Sequence, residues 1–276
     1  MGIRRVLSFF GLLSLLAVSA TGASIAIDQG MFGHLDQADV TSCTSDTGIN
    51  NACGPTSFVN SLVYLQNRWS GTYPAGTLIP HIDGNNAHDD LVAAADVAAC
   101  YMGCNGNAGG TTISNFISGK QGYFDQYAPG STIIENMNVF ANGIWPTFDF
   151  MYQMLAAGED VEMLVGFYRF DSPTVRRGGH YITLTGVSFG IPFATGNGTM
   201  NFVDPNGGTD FNDVPLSTST APGFVGAIYN NGTYAAGFFT AIEAVVAESP
   251  IPEPGTWVFL IVAIPALAAA RRRFAH

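Results

Sequence analysis

The chain has 276 residues, of which 47% are hydrophobic and only 11% charged, with 21 acidic against ten basic side chains and a formal net charge of −11. So acidic a balance, with Lys120 as the single lysine, excludes a surface built to hold nucleic acid or anionic lipid. The apolar content excludes a disordered chain and suffices for one sizeable core.

Arg4 and Arg5 precede an apolar run over residues 6–18, and small residues follow up to Ala20 and Ala23. A charged start, an apolar middle and a small-residue cleavage site predict a secretory signal peptide over residues 1–23. An uncleaved anchor is the alternative, but the run is shorter than the about 20 residues of a bilayer span. Residues 24–51 are polar and interrupted by Gly30, Gly33 and Gly48, which predicts an extended arm and loop. In residues 50–69, Gly54 loosens the backbone and Pro55 suits the first turn of a helix. Phe58, Val59, Leu62, Val63 and Leu65 then recur at helical spacing, so one face is expected to be buried. Cys53 therefore stands at a helix N-terminus, where unpaired N–H groups and the macrodipole favour an anion and lower a thiol pKa. Such a sulfur is either a nucleophile or half of a disulfide.

Residues 71–87, rich in Gly, Pro and Asn, predict a surface loop, and residues 89–101 a helix with acids in its first turn. Residues 105–110 form a glycine-rich break, and residues 111–117 begin a short helix capped by threonine. Residues 146–157 read as a helix ended by Gly158. The period then changes. Residues 161–170, 180–189, 199–203 and 237–247 are β-rich runs separated by turn residues. Helices first and strands afterwards predict an α+β fold with an antiparallel sheet. Residues 206–236 show little periodicity, and no internal repeat occurs.

At the far end, Pro252, Glu253 and Pro254 precede an apolar run over residues 257–270 and then Arg271, Arg272 and Arg273, a short hydrophobic segment with a basic stop. This order resembles the PEP-CTERM sorting tail of Gram-negative bacteria. The resemblance implies recognition and removal by an exosortase, transient association with the inner membrane, and release to the cell surface or extracellular matrix. The expected organisation is a signal peptide over 1–23, one domain over 24–250 and a sorting tail over 251–276. Five of the ten bases and one of the 21 acids lie in the end segments, which leaves five against twenty and a net charge of −15 between them.

Within that domain, His180 opens the run 180–189 directly after Gly178 and Gly179, and the next run ends at Asp204 and Pro205. Paired as an antiparallel hairpin, the start of one run lies beside the end of the other, which brings His180 to Asp204. A carboxylate so placed holds an imidazole in one tautomer while its other nitrogen faces a nucleophile. With Cys53 the order is Cys, His, Asp.

Four groups of residues carry a second resemblance: Asn51 with Cys53-Gly54-Pro55-Thr56-Ser57; Ala157-Gly158 with Val161; Gly179-His180-Tyr181 through Gly186; and Val203-Asp204-Pro205. Over residues 37–205 the chain resembles the papain-like cysteine peptidases, above all the branch of bacteriocin-processing, double-glycine-leader peptidases. The resemblance implies a papain-like α+β fold with the Cys helix packed on an antiparallel sheet. It implies Cys53 as nucleophile, His180 as general base and later acid, and Asp204 as the residue orienting His180. The reaction would be thiolate attack on an amide carbonyl of a peptide or protein substrate, a thioester acyl-enzyme, then hydrolysis. The Cys53 N–H would supply one oxyanion donor. The family usually takes a second donor from a Gln a few residues before the Cys. Thr47, six residues before, does not fit. Gln37 can fill the role if the insertion bearing Cys43 loops out, with Asn51 as its rival.

Other readings stand beside this one. A same-fold amidase or acyltransferase fits too, because a triad does not distinguish water from an amine acceptor. A non-catalytic surface or matrix protein can keep the scaffold. Four cysteines in an exported chain allow two bridges in three pairings. A bridge from Cys53 to Cys43, Cys100 or Cys104 would favour the scaffold, and Cys100 and Cys104 could be joined only with local distortion. His180 as an ordinary strand residue and Asp204 as a plain turn residue before Pro205 also stay open. His81, Asp83, His88, Asp89 and Asp90 form a cluster without recognised ligand spacing, and Asp204, Asn206, Asp210 and Asp213 lack the EF-hand pattern. No phosphate loop or dinucleotide fingerprint occurs, so neither metal nor cofactor is expected.

Overall fold

The structure is a computed structural model that describes residues 22–43, 50–80, 88–104, 110–189, 198–218, 225–227 and 237–251. The expected signal segment up to residue 21, the tail from Pro252 onward, and His81 and Asp83 lie outside the described residues. No described helix is long and apolar enough to cross a membrane.

Three helices come first: α1 (Cys53–Arg68), α2 (His88–Tyr101) and α3 (Ile113–Tyr127). The short helix expected from residue 111 runs on to Tyr127 because Phe116, Tyr123 and Phe124 keep helical spacing and are buried. Thr112 caps it, its side-chain oxygen accepting from the Asn115 N–H at 3.2 Å. The expectation for α1 needs correction. Residues 54–66 are all buried, not one face of them, because α2, α3, the sheet and the N-terminal segment all pack on it. Several of its polar groups find partners, although Thr56 Oγ1 and Ser61 Oγ make no hydrogen bond among the described residues. Asn60 Oδ1 accepts from the Leu35 N–H at 2.9 Å, Gln66 Oε1 from the Leu78 N–H at 3.1 Å, and the Ser57 carbonyl from Thr183 Oγ1 at 2.8 Å.

Residues 24–43 are likewise not a free arm. β1 (Ser24–Ala26) pairs with the later strand β4 (Ser172–Phe189), and 3-10 turns at Gln29–Met31 and Gln37–Asp39 lead the chain along α1. β2 (Thr132–Asn138) has no sequence expectation behind it, since its apolar residues do not alternate. α4 (Val139–Asn142) and α5 (Phe148–Ala157) follow, the latter ended by Gly158 at φ 83°.

The remaining strands are β3 (Asp160–Arg169), β5 (Gly198–Asp204), β6 (Thr209–Thr218), β7 (Val225–Ala227) and β8 (Phe238–Pro250). Every pairing is antiparallel, in the order β1-β4-β3-β8-β7-β6-β5, with β2 added to β8. β5 also pairs with β4, so the circuit of ladders closes. The chain is therefore α+β with an antiparallel sheet.

Period-2 alternation gives that sheet two buried faces. Val161, Met163, Val165 and Phe167 pack with Met151 and Leu155 of α5, whereas Leu164, Tyr181, Val203 and Val246 pack with Phe58 and Phe116 of the helical half. Lys120 of α3 reaches between Glu162 of β3 and Glu248 of β8, all three fully buried, and pins the helix to the sheet.

Candidate active site

α1 starts at Cys53 with no side chain capping it. The Thr56 N–H already bonds the Ala52 carbonyl at 3.0 Å, and Pro55 has no N–H. The N–H groups of Cys53 and Gly54 precede the helical ladder, and that of Gly54 lies beside the sulfur.

β4 brings His180 to this helix start. The two side chains are close enough to shift each other's titration, and His180 Nε2 lies 2.6 Å from Asp204 Oδ1. Nδ1 is therefore the nitrogen on the Cys53 side. The hairpin expected from the sequence exists, with Thr183 of β4 opposite Val203 of β5. One detail differs: His180 does not open its strand. β4 begins at Ser172, and His180 sits mid-strand opposite Val165. Asp204 is 1% exposed, and its Oδ1 also accepts from the Asn206 N–H at 2.9 Å, which fixes the carboxylate.

Burial acts most strongly on the Cys53 thiol and raises its pKa, but the hydrogen bond and charge of His180, with the Tyr181 and Gly54 N–H groups, outweigh it and bring the thiol below its ordinary value. Burial also opposes the His180 cation, yet Asp204 and Cys53 together push its pKa up to about 10. The two shifts agree in sense. At neutral pH His180 rests as the imidazolium, which favours the thiolate of Cys53.

The disulfide alternatives resolve to one bridge, Cys43–Cys104, with Cα atoms 5.2 Å apart. Cys53 is a free thiol, and Cys100 is exposed and outside the bridge. The Asn51 N–H donates to the Cys43 carbonyl at 3.3 Å, so the bridge anchors the segment that leads into Cys53.

A cleft of about 450 Å³ opens at the sulfur, lined by Asn51, Cys53, Thr111, Leu164, Arg176 and Tyr181 among others. A second cleft of about 670 Å³, between α3 and β2, shares Ile113, Ser114 and Phe140 with the first. Together they form a groove that leads away from Cys53.

Gln37 does not line this groove. Its backbone N–H donates to the Pro205 carbonyl at 2.7 Å, which places it beside the Asp204 turn, and its buried Oε1 has no partner among the described residues. Asn51, its rival, does line the cleft. Sequence reasoning missed Thr111, Arg176 and Tyr181. Only the position of Tyr181 next to His180 could have hinted at one of them.

The candidate metal ligands are dispersed. His34 Nε2 lies 2.9 Å from Asp210 Oδ1, His88 Nε2 lies 3.0 Å from Asp39 Oδ2, and Asp204 is held by His180. Among the described residues, the one group of three ligand-type side chains close enough to share an ion is Asp160, Glu162 and Glu248, and the Lys120 ammonium pairs with two of them.

No protein-family model matches the chain, and no curated protein matches it either.

Proposed function

We propose that this chain is an exported papain-like cysteine hydrolase that cleaves peptide bonds. The observation that carries the reading is the free Cys53 thiol at the start of α1, beside a His180 whose Nε2 is held by buried Asp204. The Cys53 thiolate attacks the substrate carbonyl. The N–H groups at the uncapped helix start receive the oxyanion. His180 gives its proton to the leaving amine, and a thioester remains on Cys53. His180, now neutral, takes a proton from water, whose attack releases the acid and restores the thiol pair. Asp204 keeps the ring in place throughout. The groove from Cys53 along α3 and β2 suits an extended polypeptide. A signal peptide and a PEP-CTERM tail processed by an exosortase would deliver the domain across the inner membrane to the surface or matrix.

The test is turnover of a peptide library by the secreted domain. Cys53→Ala should abolish cleavage with folding intact, and His180→Ala should do nearly the same. The double variant should lose no more than either, because the residues act as a unit. Asp204→Asn should lose less. Undiminished cleavage by Cys53→Ala would end this reading.

A further inference from the structure

The cleft at Cys53 holds polar groups that the triad does not use. Tyr181 is 2% exposed, its ring stacked on Phe116 with centroids 4.4 Å apart, and its buried hydroxyl has no hydrogen-bond partner among the described residues. Leaving a buried hydroxyl unbonded is unfavourable, so a ligand that accepts from it is favoured.

Arg176 lines the same cleft, held from behind. Its Nε donates to both carboxylate oxygens of Glu243, at 2.7 and 3.0 Å. Glu243 is fully buried on β8 and also accepts from the Tyr168 hydroxyl at 2.6 Å. The two η nitrogens make no hydrogen bond among the described residues, and the side chain is 38% exposed. Two glycines make room for this arrangement. A Cβ on Gly179 would collide with Arg176 Nη2, and one on Gly166 with the Glu243 carboxylate. The guanidinium is thus clamped by one edge and presents its other edge to the cleft. That fork suits a carboxylate.

We propose that the cleft beside Cys53 is a carboxylate-binding subsite, in which Arg176 and Tyr181 receive an acidic group of the substrate close to the bond that is cleaved. The inference rests on the hydrolase reading of Cys53 and names its substrate class. Glu243 cancels much of the guanidinium field, so selection comes from donor geometry at short range. The acidic surface repels carboxylates elsewhere, which confines the preference to this cleft. The carboxylate has two possible sources, an Asp or Glu side chain or a chain terminus.

The experiment measures alkylation of Cys53 by matched iodoacetyl reagents, with Cys100 in the same molecule as reference. Iodoacetyl-Glu-amide against iodoacetyl-Gln-amide tests the side chain. Iodoacetyl-Ala as free acid against its amide tests the terminus. In one pair, Cys53 should react about tenfold faster with the acidic member, the size expected of a charged hydrogen bond. In Arg176→Gln that ratio should fall to near one, and in Tyr181→Phe, which keeps the stacked ring, severalfold. If Arg176→Gln does not fold, Arg176→Lys keeps a cation at Glu243 without the fork and should show the same loss. A ratio at Cys53 no higher than at Cys100, or one preserved in the Arg176 variant, overturns the subsite. Failure of the hydrolase reading looks different: plain iodoacetamide would then label Cys53 no faster than Cys100, with the acidic-to-neutral ratios still readable.

Discussion

Removing His180 should move the Cys53 thiol more than any other single change. In the intact site, burial raises the thiol pKa, and His180 supplies the two largest opposing influences, with only the Tyr181 and Gly54 N–H groups besides. In His180→Ala burial prevails, and the pKa should settle at or above the ordinary thiol value of 9.0. At pH 6 a thiol of that pKa is ionised to about one part in a thousand, and the thiolate is the reacting form. Each pH unit by which the thiol pKa rises above pH 6 lowers the thiolate fraction about tenfold, while the more basic thiolate gains only about 2.5- to 3-fold in intrinsic reactivity at a Brønsted slope of about 0.4–0.5. Loss of thiolate therefore wins, and alkylation at pH 6 should slow by about three- to fourfold for each such unit. The wild-type profile should rise below the ordinary thiol value and change again near pH 10, as the His180 imidazolium deprotonates. The assay is iodoacetamide labelling against pH, read on the Cys53 peptide by mass spectrometry with Cys100 as the exposed comparison. A single wild-type inflection near the ordinary thiol value, unmoved in His180→Ala, would refute the ion pair.

Lys120→Met leaves Asp160, Glu162 and Glu248 buried without their cation and should destabilise the fold by about 3–5 kcal/mol, a large share of a typical 5–15 kcal/mol, measured by urea unfolding at pH 8. An unchanged midpoint there would contradict the cluster. Burial, then the Glu248 charge, push the Glu162 carboxyl up to about 8 from an ordinary 4.5. The folded state thus holds the extra proton, so stability from this group is full below pH 4.5 and is lost as pH rises toward 8. Glu162→Gln should flatten that fall, and an unaltered slope would assign it to other groups. Replacing Cys43 and Cys104 by Ala opens a loop with a sequence separation of 61 and should lower stability by about 4 kcal/mol on the chain-entropy account, read as a shift in the urea midpoint. For the tail, replacing Pro252, Glu253 and Pro254 should leave an unprocessed form in the membrane fraction of the native host. Recovery of mature protein that retains Arg271, Arg272 and Arg273 would exclude exosortase processing.

The α+β class and the grouping of His180 with Asp204 were legible because each rests on local signals. Gly54-Pro55 with apolar residues at helical spacing marks the start of α1, and two β runs separated by a turn predict the antiparallel pairing that joins His180 to Asp204. What stayed hidden depends on partners far along the chain. The first half of β4 is exposed and carries Arg176 and Arg177, so it lacks the alternation of a half-buried strand. β6 is interrupted by Asp210, Asn212, Asp213 and Pro215. Helical spacing predicts one buried face for α1, yet Asn60 and Gln66 are buried as well, and Leu35 and Leu78 bring backbone N–H groups to them. The Cys43–Cys104 pairing had no local signal at all. The cleft's Arg176 acquires meaning only from Glu243, 67 residues on, and from two glycines that leave space for the pair.

The burial of Lys120 has a practical consequence. It is the only lysine in the chain, and its side chain is fully enclosed, so apart from the terminal amine the native protein offers amine-directed chemistry nothing to react with. Aldehyde fixatives, succinimidyl esters and glycating sugars should leave it unmarked while it is folded. Any acylated Lys120 was accessible when it reacted, which requires α3 to part from the sheet. Lys120 acylation rates therefore time the opening of that one joint, against no background from other side-chain amines.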